Sequence, residues 1–168
     1  LFRAIAPRAR YAVAPNGVDV DFFQPRPGPT EGCVFVGGTT WHPNRDALHW
    51  FAGDILPRLR ARGEQSPVTW VGRVTDEERR EFDGVAGLHL TGYVDDIRPH
   101  VARAACFIAP MRFGGGTRLK LLDAWAMGKA IVSTSPGAEG LGGVAGEDLV
   151  LAEDADAFAD AVIRVLGD

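Results

Sequence analysis

Lysine is nearly missing from this chain: of 18 basic residues only Lys120 and Lys129 are lysines, the others being arginine. Such a bias reads as genome composition rather than selection for guanidinium chemistry, so it points to no ligand. Positive charge is not in excess either, because 22 acidic residues leave a net charge of −4. That excludes a nucleic-acid clamp built on a basic face. No apolar run approaches the length that crosses a bilayer, which excludes a spanning helix. Cysteine is scarce, and Cys33 and Cys106 each sit inside an apolar run, Cys33-Val34-Phe35-Val36 and Ala104-Ala105-Cys106-Phe107-Ile108. Buried reduced thiols fit that setting better than a disulfide or a metal pair, and with them a cytoplasmic location. The histidines His42, His49, His89 and His100 lack ligand spacing, so the expectation is no metal.

What is present is ordinary globular material. The 168 residues are 46% hydrophobic and 24% charged, enough to bury a core without staples, while 21 Gly and 11 Pro promise many turns. The chain opens at Leu1, and Leu1 to Ala6 is too short for a signal-peptide core, so the sequence reads as a piece of a longer protein. Residues 1–30 read as an interdomain linker and 31–168 as one domain. Tyr11 to Ala14 could form a short strand, Pro15-Asn16-Gly17 turns, and Pro25, Pro27 and Pro29 forbid regular structure.

Beyond residue 30, short apolar runs alternate with helical periods. Strands are expected at Cys33–Val36, Val68–Val71, Leu88–Thr91, Ala105–Ala109, Ala130–Ser133 and Leu149–Leu151. Leu48, Phe51, Ile55 and Leu59 recur at three and four residues and predict a helix over 44–62, kinked by Pro57. Thr75 caps a short acidic helix carrying Glu77 and Glu78. Further helices are expected over 95–103, from Thr117 to Met127 with Gly128 as its terminator, and over 155–166. This alternation is the signature of an α/β, doubly wound parallel six-stranded sheet, in the order 3-2-1-4-5-6.

Ligands in such sheets bind at the carboxyl ends of the strands where strand order reverses, here between strands one and four. Both of those strands end in glycine loops, Gly37-Gly38-Thr39-Thr40 and Gly114-Gly115-Gly116-Thr117. Glycines let a backbone approach a phosphate, a helix start supplies free N–H donors, and Arg118 and Lys120 add charge, so the second loop reads as an anion site. The alternative is a flexible glycine loop before a helix with a solvated Lys120–Asp123 pair. Neither loop is a phosphate loop of the Walker type, since Gly128-Lys129 is followed by Ala130, nor is Gly37-Gly38-Thr39-Thr40 a dinucleotide fingerprint. Trp50, Trp70 and Trp125 are expected in the core; Trp41, on the cleft loop, could stack a base or sugar, and Arg73 could contact base or phosphate or simply be solvated.

Several segments resemble the retaining glycosyltransferases with two Rossmann-like domains, the group 1 or family-four type of bacterial polysaccharide and lipopolysaccharide synthesis. Pro15-Asn16-Gly17-Val18-Asp19 with Phe23-Gln24-Pro25 resembles the family's interdomain segment, and Val34-Phe35-Val36-Gly37 its first donor-domain strand. Trp41-His42-Pro43-Asn44 is similar to a loop of one bacterial branch. Thr91-Gly92-Tyr93-Val94-Asp95-Asp96 resembles the loop whose backbone reads the nucleobase. Gly116 to Thr134, then Gly137-Ala138-Glu139-Gly140-Leu141, resembles the diphosphate-and-ribose helix and the strand after it.

The resemblance covers essentially the whole chain. It implies the donor-binding half of a B-architecture enzyme, metal-independent, with no cofactor beyond its nucleotide-diphospho-sugar substrate. It implies Arg118 and Lys120 as the catalytic cations and Gly37, Gly38, Trp41, Arg73, Tyr93, Val94, Gly115, Gly116, Thr117 and Asp123 as the nucleotide-sugar contacts. Many members carry glutamates at the positions held here by Gly115 and Asp123, so the ribose contact passes to a shorter acid. An absent N-terminal domain would bring the glycan or lipid-linked acceptor, and the full-length enzyme could associate peripherally with a membrane. Two other readings stay open, a non-catalytic nucleotide-binding module and a sugar-nucleotide epimerase of the same fold.

Overall fold

Four-residue strands that are apolar throughout, such as Cys-Val-Phe-Val and Cys-Phe-Ile-Ala, have no face to offer water and must be covered on both sides. A computed structural model, which describes residues 2–12 and 14–167, has that architecture. Strands β1 (Cys33–Val36), β2 (Val68–Val71), β3 (Leu88–Gly92), β4 (Cys106–Ala109), β5 (Ala130–Ser133) and β6 (Val150–Leu151) form one parallel sheet. Their order is β3-β2-β1-β4-β5-β6, as the alternation of elements predicts. Alternate residues of β1 feed opposite layers. Cys33 and Phe35 join Trp70, Ile108, Leu48, Ile55 and Phe158 on one side, while Val34 joins Val71, Phe107, Leu121 and Ile131 on the other. Cys33 and Cys106 are register partners in the central strand pair, both buried as free thiols.

The helices are α1 (Phe2–Ile5), α2 (His42–Trp50), α3 (Leu56–Ala61), α4 (Asp76–Glu81), α5 (Arg98–Arg103), α6 (Leu119–Ala126), α7 (Ser135–Ala138) and α8 (Ala155–Gly167). The single kinked helix expected over 44–62 is instead α2 and α3 joined by a π-turn at Phe51–Ile55. Pro57 explains it: with no N–H and a ring that would press on the carbonyl four residues back, it is accommodated by one widened turn. Leu48, Phe51, Ile55 and Leu59 all remain buried. Helix α5 starts at Arg98 rather than Asp95 because Asp96 turns the chain, accepting the Arg98 backbone N–H at 2.9 Å and its guanidinium twice.

Helix α6 starts two residues late. Arg118 holds a non-helical conformation (φ −84°, ψ 76°) as its N-cap, so Thr117 lies in the loop. Helix α7, unforeseen, is capped by Thr134, whose hydroxyl accepts the Gly137 N–H at 3.1 Å. In the linker the strand expected over 11–14 is absent at Tyr11, Ala12 and Ala14, and Val13 lies outside the described residues. The linker is fastened further on. Asp19 Oδ1 accepts the N–H groups of Asp21 and Phe22, and the Arg98 guanidinium lies 3.7 Å from the centre of the Phe22 ring.

Candidate functional site

Strand order reverses between β1 and β4, and the loops leaving those strands meet above the sheet. The start of α2, just past the first loop, meets the second loop through the rings of His42 and Phe113, whose centroids are 5.3 Å apart. The first loop runs along β2, with the Gly37 N–H on Val71 O and the Thr39 N–H on Arg73 O, each at 2.8 Å. Glycine is required at two points of this path. A Cβ on Gly72 would come within 2.7 Å of the Gly37 carbonyl carbon, and one on Gly37 within 2.7 Å of Lys120 Nζ.

Beside the loop is a cavity of about 300 Å³, walled by Gly37, Gly38, Arg73, Tyr93 and Val94 together with Thr40, Gly72 and Ile97. Five of the expected contact residues thus share one wall. The Arg73 guanidinium lies 4.8 Å from the Tyr93 ring centre. A ring and a stacked guanidinium at the mouth of a mostly apolar slot can hold a planar heterocycle between them.

Lys120 reaches this loop from α6. Its amine donates to Asn44 Oδ1 at 2.8 Å and lies 4.1 Å from the centre of the Phe35 ring. Burial, reinforced by the Arg118 charge, brings the amine from the usual lysine value down to about 7. An amine in this state gains from any anion that reaches it.

Arg118, implied with Lys120 as a catalytic cation, turns its guanidinium to backbone carbonyls. It is 3% exposed, and its guanidinium donates to Pro136 O at 3.2 and 3.1 Å and to Gly115 O at 3.0 Å. The first turn of α6 being lost, the side chain folds inward beneath Trp41, whose ring centre is 5.8 Å from Cζ. Arg118 therefore clamps the Gly114–Gly116 loop to α7 while its charge stays close to Lys120. Trp41 is exposed at the rim, as are Gly115 and Gly116; Thr117 is half-buried. Asp123, half-buried one turn beyond Lys120, has its carboxyl pushed up by burial. Among the described residues it forms no ion pair with Lys120, whose amine is turned toward Asn44.

Two residues of the site are not evident from sequence. Asn44 joins both halves, its amide donating to Gly38 O at 2.9 Å while its carbonyl accepts from Lys120. Its neighbours in Trp41-His42-Pro43-Asn44 were the signal, without any indication of its role. Glu78, expected only as one of two acids in the first turn of a short helix, is fully buried beneath the first loop. It accepts from the Thr39 hydroxyl, from Thr75 N–H at 2.8 Å and from Thr75 Oγ1 at 3.0 Å, and meets Arg45 Nε at 3.1 Å. Burial alone would raise this carboxyl, but the Thr39 and Thr75 donors and the Arg45 charge outweigh it and hold it below the usual range. Of the tryptophans expected in the core, Trp50 and Trp70 are buried; Trp125 is only half-buried, its indole N–H donating to Asp148 O at 3.0 Å.

Known proteins resemble this chain in sequence and in fold. A family model described as "Glycosyl transferases group 1" matches residues 30–168. The chain is 35% identical over 166 residues to a phosphatidyl-myo-inositol mannosyltransferase of Mycolicibacterium smegmatis, an alignment covering 92% of this chain and 42% of that protein. It is 32% identical over 139 residues to an uncharacterized 44.6 kDa protein of the cps region of Klebsiella pneumoniae, covering 78% of this chain and 36% of that one. The chain thus spans about two fifths of the length of these curated relatives. Among solved structures, the C-terminal domain of the group 1 glycosyl transferase LpcC of Francisella tularensis superposes with a TM-score of 0.68 at 17% identity, covering 90% of this chain and 89% of that domain. Anabaena HepE, solved with UDP and glucose, superposes with a TM-score of 0.64 at 15% identity over 91% of this chain and 46% of its own. A doubly wound sheet with glycine loops at its switch point, matched over most of its length by the family's model, makes this chain a member of the group 1 glycosyl transferases.

Proposed function

We propose that the chain is the donor-binding domain of an enzyme that moves a sugar from a nucleotide-diphospho-sugar to a glycan or lipid-linked acceptor. One observation carries this reading: the cavity beside Gly37 and Gly38, framed by Arg73, Tyr93 and Val94, lies next to the amine of Lys120. A base in that cavity sends its diphosphate across Gly38 toward Lys120, and its ribose toward Asp123. Leaving-group charge is then stabilised by Lys120 and by the field of Arg118 behind it, without a metal ion. These groups act most strongly on the charge that grows as the glycosidic bond breaks, which is where binding energy accelerates a reaction. Gly115, Gly116 and Thr117 line the approach, and Trp41 closes its rim. The mannosyltransferase relative and the UDP held by HepE support a nucleotide-sugar donor.

The acceptor comes with a further domain of the full-length protein, which works in the cytoplasm and can associate peripherally with a membrane. Among the described residues no helix is long and apolar enough to cross one. Titration of the chain with uridine, guanosine and adenosine diphosphates in the presence of a chelator tests the proposal. Saturable binding of at least one is expected. No binding into the millimolar range refutes the site, and binding that requires added divalent cation refutes metal independence.

A further inference from the structure

A second cavity, of about 470 Å³, opens on the other side of Arg118, walled by Phe113, Gly114, Ser135, Pro136 and Glu139. Its size falls within the roughly 300–1,000 Å³ of small-ligand sites. It adjoins the anion site directly, because a Cβ on Gly114 would stand 2.9 Å from the Arg118 guanidinium. The cleft therefore runs from the Arg73–Tyr93 cavity, past Lys120 and Arg118, to this one. That is the order of the parts of a nucleotide-diphospho-sugar.

The chemistry of the second cavity is narrow. The hydroxyl and N–H of Ser135 are both held by Glu153, and the Pro136 carbonyl is taken by the Arg118 guanidinium. Gly114 contributes no side chain. Among the described residues Glu139 forms no hydrogen bond or ion pair, and it is exposed to the cavity it lines. Phe113, 40% exposed, supplies an apolar ring opposite. The walls thus offer one carboxylate, which only accepts hydrogen bonds, and one apolar face; the cation beside them, Arg118, feels the Glu139 charge and also faces the diphosphate. Hydroxyls suit that carboxylate; a second carboxylate would face it across a site whose one neighbouring cation, Arg118, Glu139 and the diphosphate already share.

Resting on the nucleotide-sugar reading above, we propose that Glu139 is a specificity-determining residue, accepting from the hydroxyls of the donor sugar and selecting a neutral hexose over a hexuronate. The test takes whichever of the three nucleoside diphosphates binds best and compares its neutral-hexose and hexuronate conjugates, each referred to the diphosphate alone in the same protein. The unmodified chain should prefer the neutral conjugate by about tenfold or more, the scale at which like charges across an interface discriminate. Glu139→Gln, an exposed and conservative change, should shrink that preference to about threefold or less. Equal binding of the two conjugates by the unmodified chain, or a preference that survives in Glu139→Gln, overturns the proposal while leaving nucleotide binding standing. Failure of every nucleoside diphosphate to bind overturns the nucleotide reading and this inference together.

Discussion

Lys120 carries the charge of the candidate site in a form that depends on pH. With its amine brought to about 7 by burial and by Arg118, the free protein holds it protonated only below that point. A diphosphate prefers the ammonium, so binding above neutrality takes up a proton, and affinity should fall from pH 7 to pH 9 by up to about tenfold per unit. Calorimetry in buffers of different ionisation enthalpy reads that uptake directly; a flat profile would take Lys120 out of the site. The same amine acts on folding with a definite sign. An unfolded lysine titrates near its ordinary value of 10.5, so between about 7 and that value the unfolded chain holds more protons. Burial of Lys120 therefore costs stability fully below 7, and the cost is relieved as pH rises. Lys120→Ala should weaken nucleoside diphosphate binding by about 1.5–3 kcal/mol and leave nucleoside binding almost unchanged. Asp123 supports a different comparison. If it accepts from the ribose hydroxyls, Asp123→Asn should reduce affinity for ribonucleoside diphosphates more than for their 2′-deoxy forms, and equal losses would return it to the helix surface. At this scale the sequence marks the segment but not how its two cations are placed. Arg118 and Lys120 are two positions apart, and only the late start of α6 turns one guanidinium inward and leaves the amine at the loop.

Helix α4 shows what an element-level reading can and cannot reach. Thr75 is legible as a cap, and the reciprocal contact from Glu78 completes a capping box. The same carboxylate also accepts from Thr39, which belongs to a loop 39 positions earlier and which no local rule connects to it. One side chain thereby closes a helix end and anchors the loop beside the cavity. Glu78→Ala should lower stability by about 2–3 kcal/mol, the scale of hydrogen bonds to a charged group, and weaken nucleotide binding along with it. The carboxyl is held below its ordinary value of 4.5, so its stabilising effect is present above that value and is lost as pH falls through the folded-state value. Acid unfolding of Glu78→Gln, which cannot titrate, should show a shallower dependence below pH 5; an unchanged profile would deny the carboxylate this role. The π-turn at Phe51–Ile55 was equally out of reach, since the apolar period runs through Pro57 without interruption and tells only that one face is buried.

Across the whole molecule, strand order and the pairing of two glycine loops follow from the alternation of apolar runs with helical periods, because right-handed crossovers leave few other ways to wind six parallel strands. Contacts between distant segments, such as Asn44 to Lys120, do not follow, since they depend on the angles at which loops leave the sheet. The chain alone should bind nucleotide-sugar but not transfer sugar. On the proposed reading the acceptor side of the cleft belongs to a further domain, and the positioning it would bring can lower a barrier by roughly 7–11 kcal/mol. Acceptor-dependent turnover by residues 1–168 would relocate the active site. The facing thiols of Cys33 and Cys106, at the amino ends of the two central strands and so at the far end of those strands from the cleft, make the protein its own stopwatch. A thiol-reactive dye can reach them only when the centre of the sheet parts, so its rate of uptake times that opening. Any ligand that binds only the closed sheet must slow the dye in proportion to its occupancy, which allows affinity for a donor to be read from two sulfur atoms that never touch it.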